Sequence, residues 1–241
     1  MTEKLPEWNA AKVFYDTAYS SEGISAQRRY PNEELCRFIG RHFHHLSHDE
    51  KRGIRILETG CGSGANLWML AREGMETHGL DLSGASLRLA KEMLASHGVS
   101  ARLQEGDMTR LDYPNDFFDA VVDVFSSYCL TQNHGEQYIR EVWRVLRHGG
   151  LFFSYFPDKS SDAFNNHAPS TMLDEDTLNG VHRKNSPYYG NAYPFRFMTQ
   201  QEYSDLLMSH GFEVPYCETV SRSYRRGKEI FAFVTIEGKK Q

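Results

Sequence analysis

The sequence has only four cysteines, Cys36, Cys61, Cys129 and Cys217, and they lie far apart. No pair has the spacing of a zinc or dithiol site, and such scattered thiols suit a reducing compartment. No apolar run approaches the roughly 20 residues that a membrane-crossing helix needs. The N-terminal residues lack the pattern of a signal peptide, so a cytoplasmic location is expected. Basic charge is not in excess either. The net charge of −5 at pH 7 gives no electrostatic reason to expect a nucleic-acid partner. Internal repeats and low-complexity tracts are missing as well. What remains is 241 residues, 40% apolar and 24% charged, enough for one α/β core with extensions.

The stretch Ile54 to Leu67 organises the rest. Ile54, Ile56 and Leu57 form a short buried strand that closes on Glu58. Gly60, Gly62 and Gly64 follow at alternate positions, and Leu67-Trp68-Met69-Leu70-Ala71 resumes as a helix. Glycine is required where the backbone takes positive φ or another group approaches it closely. A strand feeding a helix through such a turn aims the helix N-terminal amides at a ligand.

Downstream the chain alternates strand and helix. Thr77 to Asp81 is a second strand, and Ser83 caps a helix that stops at Gly98. Arg102 to Glu105 is a third strand, Phe117 to Val124 a fourth, and Leu151 to Phe156 a fifth, after a helix ending at Gly149-Gly150. This rhythm implies parallel pairing with right-handed crossovers. The expectation is a doubly wound, seven-stranded, mostly parallel Rossmann-like sheet. A hairpin turn at Arg225 to Lys228 makes the C-terminal strand antiparallel.

Two segments depart from the pattern. Residues 1–50 read as an N-terminal helical cap before a domain over 51–241. Trp8, Val13, Phe14, Tyr15 and Tyr19 suit one helix, and Asn32 caps another through Phe43. These helices either pack on the sheet or reach over the glycine turn with Tyr15, Tyr19 and Arg29. Four histidines at 42, 44, 45 and 48 invite a metal reading, but no carboxylate or cysteine completes a site. The stretch 157–198 is aperiodic and reads as a lid insertion after strand five.

In a doubly wound sheet the binding crevice lies outside the carboxyl ends of the strands. Asp81, with Leu82 beside it, ends strand two and is placed to accept both hydroxyls of a ribose. Asp107 and Met108 follow strand three and suit an adenine. Glu58 beneath the glycine turn repels a pyrophosphate but tolerates a ligand carrying a cation. The order of these motifs resembles the class I S-adenosylmethionine-dependent methyltransferases. Glu58, Gly60, Gly62 and Gly64 match the family's first motif, Asp81 its ribose-binding acid, and Asp107 with Met108 its adenine-binding pair. Asp123 through Ser127, with Val124 at the strand end, falls where the fourth motif lines the methyl-transfer site. Leu146 to Leu151 resembles the turn before strand five. The resemblance implies S-adenosylmethionine as cofactor, held by these residues with Tyr15 and Arg29.

The acceptor is expected to be a small molecule, with no nucleic acid and no membrane involved; a homodimer is left open. Phe125 and Tyr128, with Tyr188, Tyr193 and Phe197 from the insertion, either line an acceptor pocket or pack the lid. A sulfonium methyl is already activated, so holding and desolvating the reactants is most of the work. A base is needed only if the acceptor must lose a proton, and His134 is the first candidate. Gly60, Gly62 and Ala65 also fit a nicotinamide dinucleotide fingerprint, and a non-catalytic binding subunit is a third reading.

Overall fold

The structure, a computed structural model, describes residues 9–23 and 27–241. Trp8 lies outside the described residues. α1 (Asn9–Glu22) is followed by α2 (Glu33–Phe43), where the Asn32 side chain accepts from the Glu34 and Leu35 amides at 2.9 and 3.1 Å. Ser47 opens a short α3 (His48–Lys51) with a reciprocal capping box. The alternating core runs β1 (Arg55–Thr59), α4 (Leu67–Arg72), β2 (Glu76–Asp81), α5 (Gly84–Ser96), β3 (Arg102–Glu105), β4 (Phe118–Val124), α6 (Gln132–Val145) and β5 (Leu146–Pro157). The insertion carries α7 (Asp162–Asn165) and a small antiparallel pair, β6 (Thr177–Leu178) and β7 (Phe195–Arg196). Thr199 then caps α8 (Gln200–Ser209), which leads into the hairpin β8 (Phe212–Tyr224) and β9 (Glu229–Lys240).

The main sheet has seven strands in the order β3-β2-β1-β4-β5-β9-β8. The first five are parallel, and β9 runs antiparallel between β5 and β8. The central strands β1 and β4 are buried along nearly their whole length, as strands covered on both faces must be. Side chains on β5 alternate between two helical layers. Phe153 packs on Phe38 of α2 at 5.1 Å between ring centroids. Phe152 and Phe156 turn the other way, toward Tyr138 of α6 and Tyr203 of α8.

Three features of the structure bear on the sequence reading. Leu35, Phe38, Ile39 and Phe43 of α2 are buried in the main core, so α2 is a layer of the fold and α1 alone acts as a cover. The stretch Leu146 to Gly150, read as a turn, already belongs to β5. Phe118 pairs with Leu146 and Ala120 with Leu151, and the bulge between them uses Gly149 at φ +73°. The insertion is anchored without helical periodicity. Lys159 reaches Asp176 and Glu202 at 2.5 and 2.7 Å, and Phe195 and Phe197 are fully buried.

The hairpin overhangs the rest of the sheet. Pro157 ends β5 opposite Phe233, which in turn faces Val220. The β8–β9 pairing continues outward from there, to Arg222 with Phe231 and Tyr224 with Glu229. This tip is tied to the insertion. Arg225 donates to the Asn185 carbonyl at 2.9 Å, and Arg183 pairs with buried Glu229 at 3.0 Å.

Candidate active site

The turn after β1 is built for close approach. Gly60, Gly62 and Gly64 have φ of +68°, +51° and +84°. A Cβ at Gly60 would lie 2.2 Å from Ser126 Cβ, and one at Gly62 would lie 2.9 Å from the Tyr19 hydroxyl. A Cβ at Gly64 would meet Ala90 at 3.1 Å, so this third glycine serves the packing of α5. Asp81 ties the turn to β2. One carboxylate oxygen accepts from the Gly62 amide at 2.8 Å and the other from the Ser83 amide at 2.9 Å. Ser83 in turn donates to Asp16 of α1 at 2.5 Å.

Glu58 lies beneath this turn and is 2% exposed. Its Oε1 accepts from the Asn66 amide nitrogen at 2.5 Å, while Oε2 is buried with no partner among the described residues. Burial pushes its pKa up to about 8, with the Asn66 hydrogen bond and the nearby Arg28 charge pulling the other way. Burial also raises Asp81, against the two amides that stabilise its ionised form.

Asp123 organises the turn after β4. It is fully buried and accepts from the backbone amides of Ser126 and Ser127, both at 3.1 Å. It also accepts from the hydroxyls of Ser126, Ser127 and Ser154 at 2.5, 2.5 and 3.0 Å. The chain leaves β4 through Phe125 at φ +57°, a left-handed conformation uncommon for an aromatic residue. This arrangement turns Phe125 and Tyr128 outward and brings Ser126 against Gly60, with Ser126 donating to the Thr59 carbonyl at 2.7 Å.

These elements wall one continuous cleft of about 690 Å³, within the usual size of small-molecule sites. It starts at Asp81, Leu82 and Met108, passes the glycine turn, and continues over Val124, Phe125, Tyr155 and Phe233 to Arg222 and Tyr224. α1 roofs it with Tyr15 and Tyr19. The Tyr15, Tyr128 and Tyr193 hydroxyls form a closed triangle, at 2.8, 2.9 and 2.7 Å. It joins the roof, the turn after β4 and the insertion. Burial raises all three phenol pKa values, so these hydroxyls stay protonated and act as donors and acceptors rather than as bases.

Of the residues singled out from sequence, Glu58, Gly60, Gly62, Asp81, Leu82, Met108, Val124, Tyr15, Phe125, Tyr128 and Tyr188 line this cleft. Others stand elsewhere. Arg29 is outside it, its carbonyl accepting from the Trp68 indole at 3.1 Å, and the neighbouring Arg28 takes the lining position. Asp107 accepts from the Thr109 amide and hydroxyl, both at 2.8 Å, in a local turn. Tyr193 supports the wall from behind, and Phe197 is core packing against Phe164 and Phe195. His134 stands in the first turn of α6, its Nδ1 3.1 Å from the Thr131 hydroxyl, and is not among the cleft residues. Ser126, within the fourth-motif stretch read from sequence, also lines the cleft, whereas sequence reasoning missed Tyr155, Asn191, Arg222, Phe233 and Tyr224. The overhang of the hairpin brings Arg222 and Tyr224 to the site, and Phe233 stands where it begins, opposite Pro157.

Residues 56–150 match the family model described as a methyltransferase domain. The chain is 30% identical over 143 residues to a methyltransferase, phqN, of Penicillium fellutanum, covering 56% of this chain and 43% of that protein. It is 30% identical over 144 residues to a fatty-acid O-methyltransferase of Mycolicibacterium smegmatis, covering 58% and 51%. The chain thus spans about half or less of the length of these curated relatives. Among solved structures, the fold is similar to that of Burkholderia thailandensis 1,6-didemethyltoxoflavin-N1-methyltransferase with bound 1,6-didemethyltoxoflavin and S-adenosylhomocysteine. The TM-score is 0.68 at 15% identity, covering 97% of this chain and 88% of that one.

Proposed function

Since the chain belongs to the class I S-adenosylmethionine-dependent methyltransferase family, we propose that it moves the cofactor's methyl group to a small organic acceptor bound in the aromatic half of the cleft. The observation that carries this reading is the continuity of the cleft, which joins a glycine cradle with a carboxylate at one end to aromatic walls at the other. The cradle fits the cofactor on three counts. The Gly60 and Gly62 backbone lines the cleft without a side chain. Asp81 has lone pairs left after accepting two amides. The orphaned Glu58 Oε2 calls for a cationic or hydrogen-bonding partner.

When bound, S-adenosylmethionine supplies a sulfonium methyl that a nucleophile displaces in line, the electron pair of the broken carbon–sulfur bond remaining on sulfur. The chain's own residues hold, orient and exclude water. Asp81 would hold the ribose, Met108 and Leu82 the adenine side, and the Gly60–Gly62 backbone with Glu58 and Arg28 the methionine portion. Phe125 and Tyr128 would flank the acceptor, and Tyr15 and Tyr19 would close the roof. Among the described residues no histidine lines the cleft. Catalysis then rests on proximity and desolvation. The acceptor is small, as for the relatives that act on a fatty acid or on 1,6-didemethyltoxoflavin.

Calorimetry should show binding of S-adenosylhomocysteine and none of NAD, and screening a metabolite library should find an acceptor that drives S-adenosylhomocysteine production. Binding of NAD instead would overturn the reading. With that acceptor, His134→Ala should keep kcat within about threefold of the parent, because a working base is worth roughly 10²–10⁴-fold. A drop of that size with intact cofactor affinity would return His134 to the mechanism.

A further inference from the structure

The far end of the cleft has a charge that methyl transfer itself does not use. Arg222, on the overhanging part of β8, lines the cleft with Tyr224, Phe233, Tyr155, Tyr188 and Asn191. Its guanidinium lies 3.0 Å from Glu33 and beside the Tyr155 hydroxyl. The Glu33 pair is weakly held, since the two side chains are 39% and 62% exposed. Glu33 satisfies only part of a five-donor fork whose planar geometry matches a carboxylate. The walls beside it are aromatic, with Tyr155 stacked on Phe233 at 4.3 Å and Phe125 tilted against Tyr188 at 4.7 Å between ring centroids. A cationic acceptor would meet Arg222 and Arg28 here, and the acids Glu58 and Asp81 stand at the opposite, cradle end.

Strand order adds a distance. β8 is three strands from β4, so their backbones are about 14 Å apart, while Tyr155 on β5 is about 5 Å from β4. The Arg222 side chain reaches back from β8 to the Tyr155 hydroxyl, so a group it holds lies beside the β5 wall, about one strand over from the turn after β4 where the methyl is delivered. We propose that the acceptor is an organic carboxylate whose flat or apolar body lies along Phe125, Tyr155 and Phe233, with its carboxylate docked on Arg222 and its reacting atom turned toward the glycine cradle. This rests on the methyltransferase reading and names the class of molecule that fills the acceptor half.

The test uses matched pairs of cinnamate with cinnamamide and decanoate with decanamide, titrated calorimetrically into the full chain saturated with S-adenosylhomocysteine. The carboxylate of a pair should bind at least tenfold more tightly than its amide. Arg222→Gln should abolish that preference, Arg222→Lys should keep part of it, and neither should alter affinity for S-adenosylhomocysteine. Equal binding of acid and amide, or a preference that survives in Arg222→Gln, would overturn the proposal. So would tighter binding of decylamine that Glu33→Gln removes. Failure to bind S-adenosylhomocysteine is a separate result and strikes the methyltransferase reading instead.

Discussion

Asp81→Ala is expected to weaken S-adenosylhomocysteine binding by about 2–4 kcal/mol, roughly 30- to 1000-fold in Kd. Two effects add. The variant loses a charged acceptor for ligand hydroxyls, and such bonds are the stronger kind. It also frees the Gly62 and Ser83 amides that the carboxylate holds at 2.8 and 2.9 Å, so the cradle loosens around whatever it binds. Asp81→Asn keeps an acceptor oxygen but loses the charge, and should fall between the two. Isothermal calorimetry across the three proteins decides the matter, and an unchanged Kd in Asp81→Ala would remove Asp81 from the binding site.

Glu58 should dominate the pH dependence of the ligand-free protein. Its folded pKa of about 8 stands above the ordinary carboxylate value near 4.5. Below the lower value both folded and unfolded chains hold the proton, and the stability is full. Between the two only the folded chain holds it, so stability falls as pH rises, then levels off above about 8. The shift corresponds to a loss on the order of 5 kcal/mol. Asp81 and Asp123 are raised by burial as well and act with the same sign, so the informative quantity is a difference. Urea denaturation between pH 5 and 9 should give a shallower decline for Glu58→Gln than for the parent. Parallel profiles would show that Glu58 is ionised throughout. A cationic group entering beside Oε2 should also expel the proton, so ligand binding near pH 7 should release protons in the parent and fewer in Glu58→Gln. Calorimetry in buffers of differing ionisation enthalpy reads this directly.

The cradle was legible in the sequence because its parts are local. Glu58, Gly60 and Gly62 lie within five residues, and Asp81 and Met108 end or follow short strands that the alternation with helices marks out. The mostly parallel sheet with its antiparallel C-terminal strand followed from the same alternation and the hairpin turn. Asp107 and Gly64 belong to the motif but turn inward, one capping Thr109 and the other admitting Ala90, a choice that spacing does not encode. Arg28 and Arg29 are adjacent in a non-periodic loop, so nothing local says which faces the ligand. The acceptor half was hidden for a different reason. Tyr155, Arg222 and Phe233 are distant in the chain; the β5–β9 ladder brings Tyr155 and Phe233 together, and Arg222 joins them because the β8–β9 pairing extends past the end of β5. His134 looked suitable as a loop residue, but Thr131 ends the loop and the helix takes His134 away from the cleft.

That overhang separates two kinds of inheritance. The cradle is drawn from residues 58–108, while the far wall is drawn from the hairpin tip and the insertion, which are fastened to each other through Arg183 with Glu229 and Arg225 with the Asn185 carbonyl. Substitutions in the far wall meet few constraints from the cradle. A lineage can therefore change its acceptor by drift in one late, surface-exposed part of the gene while the cofactor half stands still. Arg183 and Glu229 should then change as a pair, since losing one leaves the other's charge unmatched, and buried in the case of Glu229.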